Sequence, residues 1–104
     1  MIKINLKYDN DLIDSISILG HAGFDVYGKD IVCASVSSIV ITSVNAILKL
    51  RNDSISYDNS NGLSINILSH NDVTDTLIDN MVSLLKDLGK QYKKNIIIKE
   101  VRSC

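Results

Sequence analysis

Between Leu19 and Ile31 the spacing of apolar residues changes from every second position to every third and fourth, and this switch constrains the fold more than any other feature of the chain. Before it, Met1 to Tyr8 and Ile13 to Leu19 alternate as strands do, the second run less strictly, with Asp9-Asn10-Asp11 as a turn between them. After it, Val36, Ile39, Val40, Ser43, Val44 and Ile47 form the stripe of a helix from Ile31 to Leu50. The switch therefore predicts a β-hairpin, a loop and a buried helix. Many of the helix residues are β-branched, so burial rather than intrinsic propensity must hold it.

The remaining segments repeat this order. Ser54 to Tyr57 and Leu63 to Leu68 flank Asp58-Asn59-Ser60-Asn61-Gly62, a strong hairpin signal. A second helix is expected from Asn71 or Asp72 to Leu88, with Val73, Leu77, Met81, Leu84, Leu85 and Leu88 on its apolar face and Gly89 as its stop. Lys93 to Val101 closes as a strand with a buried Ile96-Ile97-Ile98 centre. The order β-β-α-β-β-α-β predicts an α/β sandwich, a mixed sheet with two helices packed on it. With 104 residues, a single domain spanning 1–104 is expected.

The loop at the switch carries the chemistry. In Gly20-His21-Ala22-Gly23-Phe24-Asp25-Val26-Tyr27-Gly28-Lys29-Asp30-Ile31-Val32-Cys33-Ala34, a histidine and a cysteine stand on either side of a glycine-bounded segment. Cys33 falls just inside the helix start, with Asp30 in the N-cap position, where exposed N–H groups and the helix dipole favour a thiolate. Cysteine is also a small hydrophobe that commonly packs in cores, and the stripe of the helix includes Cys33. Asp30 fits the cap without further assumptions, and it can equally orient the imidazole of His21. Ser37, one turn beyond Cys33, can hydrogen-bond near the thiol or, being small, let the helix approach the sheet. Gly23 and Gly28 free the loop to move as a cover, with Phe24 and Tyr27 as residues that contact an apolar substrate or shield the core.

This stretch resembles the bacterial ribosomal-processing cysteine proteases. The resemblance rests on the Gly-His-Ala entry, the run Tyr27 to Ala34, and Val36-Ser37 followed by Thr42-Ser43-Val44-Asn45. Ser35 departs from the family's pattern, which more often has a second alanine there. The resemblance implies a cysteine endopeptidase that removes the N-terminal extension of one large-subunit ribosomal protein, ribosomal protein twenty-seven. By motif position, His21 is then the base and Cys33 the nucleophile, supported by Asp30 and Ser37. It also implies a homodimer and a substrate with an apolar or aromatic residue before the scissile bond.

Composition sets limits on partners. Eleven basic against twelve acidic side chains give a net charge of −1, with no basic block that would mark direct nucleic-acid binding. The partner expected is therefore a peptide, the precursor ribosomal protein or its N-terminal segment. The alternating N-terminus lacks the apolar region of a signal peptide, and no apolar run is expected to reach bilayer-spanning length, so a soluble cytoplasmic protein without membrane contact is anticipated. The two cysteines, Cys33 and Cys104, are expected to stay reduced there. No cofactor is expected. A zinc site from His21, Cys33, His70 and Cys104 has the right ligand types but none of the familiar short spacings, and His70 reads better as a surface or capping residue. A non-catalytic ribosome-assembly or peptide-binding module is the competing reading. A redox sensor is a weaker one, since no second cysteine is placed to resolve a sulfenic acid.

Overall fold

In the computed structural model of the chain, which describes residues 1–20 and 31–103, β1 (Ile2–Asp9) and β2 (Leu12–Gly20) form the first hairpin. Its two turn residues, Asn10 and Asp11, have φ of 52° and 68°, the paired positive angles that a two-residue turn needs to follow the strand twist. A register shift between Lys7 and Tyr8 makes Tyr8 face Ile13 while Lys7 faces Ser15. That bulge explains the looser spacing in the second run. Ile13 and Ile16, three apart, both end up buried because the extra residue between them resets the alternation.

The helix α1 (Ile31–Leu50) crosses to β3 (Ile55–Asp58) and β4 (Leu63–Ile67), and α2 (Asp72–Gln91) leads into β5 (Ile96–Ser103). The sheet order is β3-β4-β2-β1-β5, with β5 parallel to β1 and the other pairs antiparallel. One face carries Ile2, Ile4, Leu6, Ile16, Ile18, Ile65 and Ile96, all buried together with the helices. Alternation turns Lys3, Asn5, Lys7, Ser15, Ser17 and Ser64 to the opposite face. The expected α/β sandwich is the observed one: one mixed sheet and one layer of two helices.

In α1 the buried residues are Val32, Val36, Val40, Ser43, Val44 and Ile47, the predicted stripe with Ile39 half-buried at its edge. The buried Ser43 hydroxyl is satisfied within the helix, donating to the Ile39 carbonyl at 2.8 Å. The expectation about apolar length needs correction. Over its 20 residues α1 is long and apolar enough to cross a membrane by length and composition, and the interspersed serines hid this in the sequence. Its valine stripe is nevertheless part of the core against the sheet.

The second helix begins where Asn71 accepts a hydrogen bond from the Thr74 N–H at 2.9 Å. Buried Thr74 donates to Ser54 Oγ at 2.7 Å, and Ser54 donates to the Arg51 carbonyl at 2.8 Å, tying the start of α2 to the end of α1. Gly89 does not stop α2. The helix continues through it to Gln91, with Gly89 at negative φ facing Ile96 and Ile98 of β5, so a residue that sequence reads as a terminator is interior to the helix. The apolar face is also rotated from the expected one. Thr74, Ile78, Met81, Val82 and Leu85 are buried, while Leu84 is exposed. In β5 only Ile96 of the isoleucine triplet is buried, since Ile97 faces the open side of the sheet and Ile98 lies near its edge.

Candidate active site

The end of the sheet where β2 finishes and β4 begins is also where α1 starts. Antiparallel pairing sets Ile18 of β2 opposite Leu63 of β4, and Ile2 of β1 opposite Gly20. Cys33, the third residue of α1, is half-buried above this corner and carries a thiol. It lines a pocket of about 230 Å³ whose apolar wall is Ile2, Ile18, Val36 and Leu63. Ser37, one helical turn on, lines the same pocket. The position of Cys33 on the inner side of α1, where helix period had placed it, gives the thiol an apolar recess on one side and the helix start on the other.

Two glycines shape the rim. Gly20 has φ +91°, and a β-carbon there would collide with the Met1 carbonyl oxygen. Gly62 has φ +77°, and its β-carbon would come within 2.6 Å of the Ile18 carbonyl oxygen. Both positions need a residue without a side chain, because the backbone turns left-handed while passing close to a neighbouring strand. The Asn61-Gly62 turn signal is visible in sequence, but its place beside Cys33 follows only from the pairing of β4 with β2.

The first turn of α1 contains no acidic side chain from Ile31 onward. By helix geometry the N–H groups of that turn point toward the helix start and carry the positive end of its dipole. A thiolate, or an oxyanion on a bound carbonyl, is the charge such a place stabilises. The neighbouring Ser35 hydroxyl is turned to the Ile31 carbonyl at 2.7 Å.

Of the predicted site residues, the structure brings Cys33 and Ser37 to one pocket. His21, Gly23, Phe24, Tyr27, Gly28 and Asp30 lie outside the described residues, as does Cys104. His70 stands elsewhere. It follows β4, which runs away from the pocket, and its Nδ1 lies 2.8 Å from Asp75 Oδ1 on the first turn of α2. Cys33 and His70 therefore do not share a metal site, and among the described residues no group of three or more His, Cys, Asp or Glu side chains is placed to hold a metal.

The ribosomal processing cysteine protease Prp of Staphylococcus aureus (strain Mu50) is 34% identical over 102 residues, 92% of this chain and 95% of that protein. The protein of the same name from Bacillus subtilis is 39% identical over 51 residues, 48% of this chain and 46% of its own length. Among solved structures, the essential ribosomal processing protease Prp of S. aureus in complex with a covalently linked product peptide superposes with a TM-score of 0.85 at 30% identity, covering 96% of this chain and 99% of that one. The same protease with a substrate peptide gives 0.81 at 28% identity and the same coverage. The family model described as cysteine protease Prp matches residues 1–97, and with this fold and these relatives the chain belongs to that family of ribosomal processing cysteine proteases.

Proposed function

We propose that Cys33 and His21 are the nucleophile and base with which this cysteine protease removes the N-terminal extension of the precursor of ribosomal protein twenty-seven. The observation that carries the reading is the place of Cys33, on the first turn of α1 and on the wall of the pocket at the sheet's end. His21 is the next residue along the chain from Gly20, which lines the same pocket. The Cys33 thiol gives its proton to His21, and Sγ attacks the scissile carbonyl carbon. N–H groups of the helix start receive the oxyanion. The imidazolium protonates the leaving amine, whose departure leaves a thioester. Water, deprotonated by His21, then hydrolyses the thioester, releasing the acid and restoring the thiol. Asp30 caps the helix or orients His21, and Ser37 supports the thiol from one turn away. Gly23, Phe24, Tyr27 and Gly28 are the residues of the proposed substrate loop.

In this reading the whole chain is one protease domain that works in the cytoplasm without a cofactor, nucleic acid or membrane. Its partner is the precursor or that precursor's N-terminal peptide, in line with the peptide complexes of the S. aureus relative. It also works as a homodimer. Support for the dimer comes from the outward side of α1, which has no charged residue from Ile31 to Leu48 and leaves Ile31, Ile41 and Leu48 exposed. The deciding experiment incubates the chain with the ribosomal protein precursor from the same cell and reads the products by mass spectrometry. Cleavage by the unaltered chain and none by Cys33→Ala is the expected result. Equal cleavage by both would overturn the assignment of Cys33.

A further inference from the structure

We infer that Leu63, the first residue of β4, is a specificity-determining residue: it forms the wall that limits the size of the substrate side chain held beside Cys33. The inference rests on Cys33 being the nucleophile and deepens that reading. Leu63 pairs directly with Ile18, so its side chain stands on the helix-facing side of the sheet at the end where α1 begins. Together with Cys33, Ile18 and Val36 it bounds the pocket of about 230 Å³.

The pocket's chemistry and size define what enters. Among the described lining residues Ile2, Ile18, Val36 and Leu63 are aliphatic, with the Ser37 hydroxyl and the Cys33 thiol as the polar points, so an apolar side chain is favoured there. An apolar cavity of about 150 Å³ already holds a benzene ring, so this one has room for a single aromatic side chain or a large aliphatic one. Cys33 is itself part of the wall. The residue whose carbonyl is attacked stays tethered to Sγ throughout the thioester stage, so it is the one whose side chain remains within reach of this recess.

Leu63 differs from the other apolar lining residues in its exposure. Ile2, Ile18 and Val36 are fixed in the core at 2%, 6% and 2% exposure, whereas Leu63 is only half-buried and packs against the core from its edge. It is thus the large side chain whose exchange alters the recess most and the core least. Gly62 before it holds the hairpin close to β2, which keeps Leu63 in place.

The test uses the full chain and peptides spanning the cleavage site of the precursor, with Ala, Leu, Phe or Trp at the position that supplies the attacked carbonyl. For each enzyme the readout is the ratio of kcat/KM between the large and small side chains, which does not depend on how much of a variant is folded. Leu63→Phe, which adds three carbons to the wall, is expected to lower the Phe-to-Ala ratio by roughly tenfold or more, and Leu63→Ala, which removes three, to raise the Trp-to-Leu ratio, since a single methylene in an apolar pocket is already worth about tenfold or more. Ratios unchanged within about twofold in both variants would overturn the assignment of Leu63. Cys33→Ala run alongside separates the two readings: loss of cleavage there with unchanged Leu63 ratios rejects only the pocket, whereas retained cleavage rejects the nucleophile.

Discussion

At Cys33 a single side chain sits on the inner face of α1, within its first turn, and beside a recess whose rim holds two left-handed glycines. Each of these features leads to its own expectation. Cys33→Ser and Cys33→Ala are expected to keep the fold, since the position is half-buried and either replacement is small, and to lose cleavage in the precursor assay if Cys33 is the proposed nucleophile. Iodoacetamide at neutral pH is expected to label Cys33 faster than Cys104, checked by peptide mass spectrometry; equal rates would argue against an activated thiol. The glycines behave differently. Gly62→Ala is expected to destabilise by more than about 1 kcal/mol, because the new methyl meets the Ile18 carbonyl and the Leu19 side chain at a φ that alanine resists. A urea midpoint equal to that of the unaltered protein would show that the β3–β4 turn relaxes freely.

Among the elements, α2 shows how local signals and tertiary contact divide the control of a helix. Its start is local: Asn71 accepts from the Thr74 N–H, and Asn71→Ala is expected to lose about 1 kcal/mol in urea unfolding. Its end is not local. Gly89 is an interior helical residue at negative φ, and an added β-carbon would find Ile98 Cδ1 at 3.4 Å and Ile96 Cγ2 at 3.7 Å, ordinary contacts with flexible side chains. Gly89→Ala is therefore expected to stabilise the protein by about 0.5–1 kcal/mol, through the helix preference of alanine and a smaller loss of backbone freedom. A drop in stability would show that Ile96 and Ile98 cannot yield even a few tenths of an ångström. The same α2–β5 contact carries a pair of charges, Lys86 Nζ to Glu100 Oε1 at 2.6 Å.

That pair links the helix layer to the edge of the sheet and gives the whole molecule a small, signed dependence on pH. The hydrogen bond from Lys86 holds the Glu100 carboxyl below its ordinary range, and the same bond raises Lys86. A carboxylate lowered in the folded state adds stability above its unfolded value of 4.5 and loses it as pH falls through the folded value. A raised lysine contributes fully below 10.5 and loses that contribution as pH rises through its folded value. Both groups are about one-third exposed or more, so solvent screens them. Glu100→Gln is expected to lower stability at neutral pH by under about 1 kcal/mol, and the gap should close in acid. Urea titrations at neutral and acidic pH check this; a gap that persists in acid would assign the effect to packing. The proposed dimer is a property of the same scale, read by light scattering as twice the chain mass at micromolar concentration.

Sequence alone determined the element order, the cysteine at a helix start and the hairpin turns, because period, caps and turn residues act within a few positions of one another. It reached Asn71 and the stripe from Val36 to Ile47 for that reason. It placed the end of α2 too early at Gly89, buried Ile97 and put Leu84 inward, since those outcomes depend on which side of an element meets a neighbour distant in the chain. The strand order and the parallel pairing of β5 with β1 were likewise decided by packing. So was the pocket: Ile2, Ile18 and Leu63 come to Cys33 from three strands, and no local spacing connects them. Local interactions act through neighbours in the chain, whereas a recess exists only where separate elements meet.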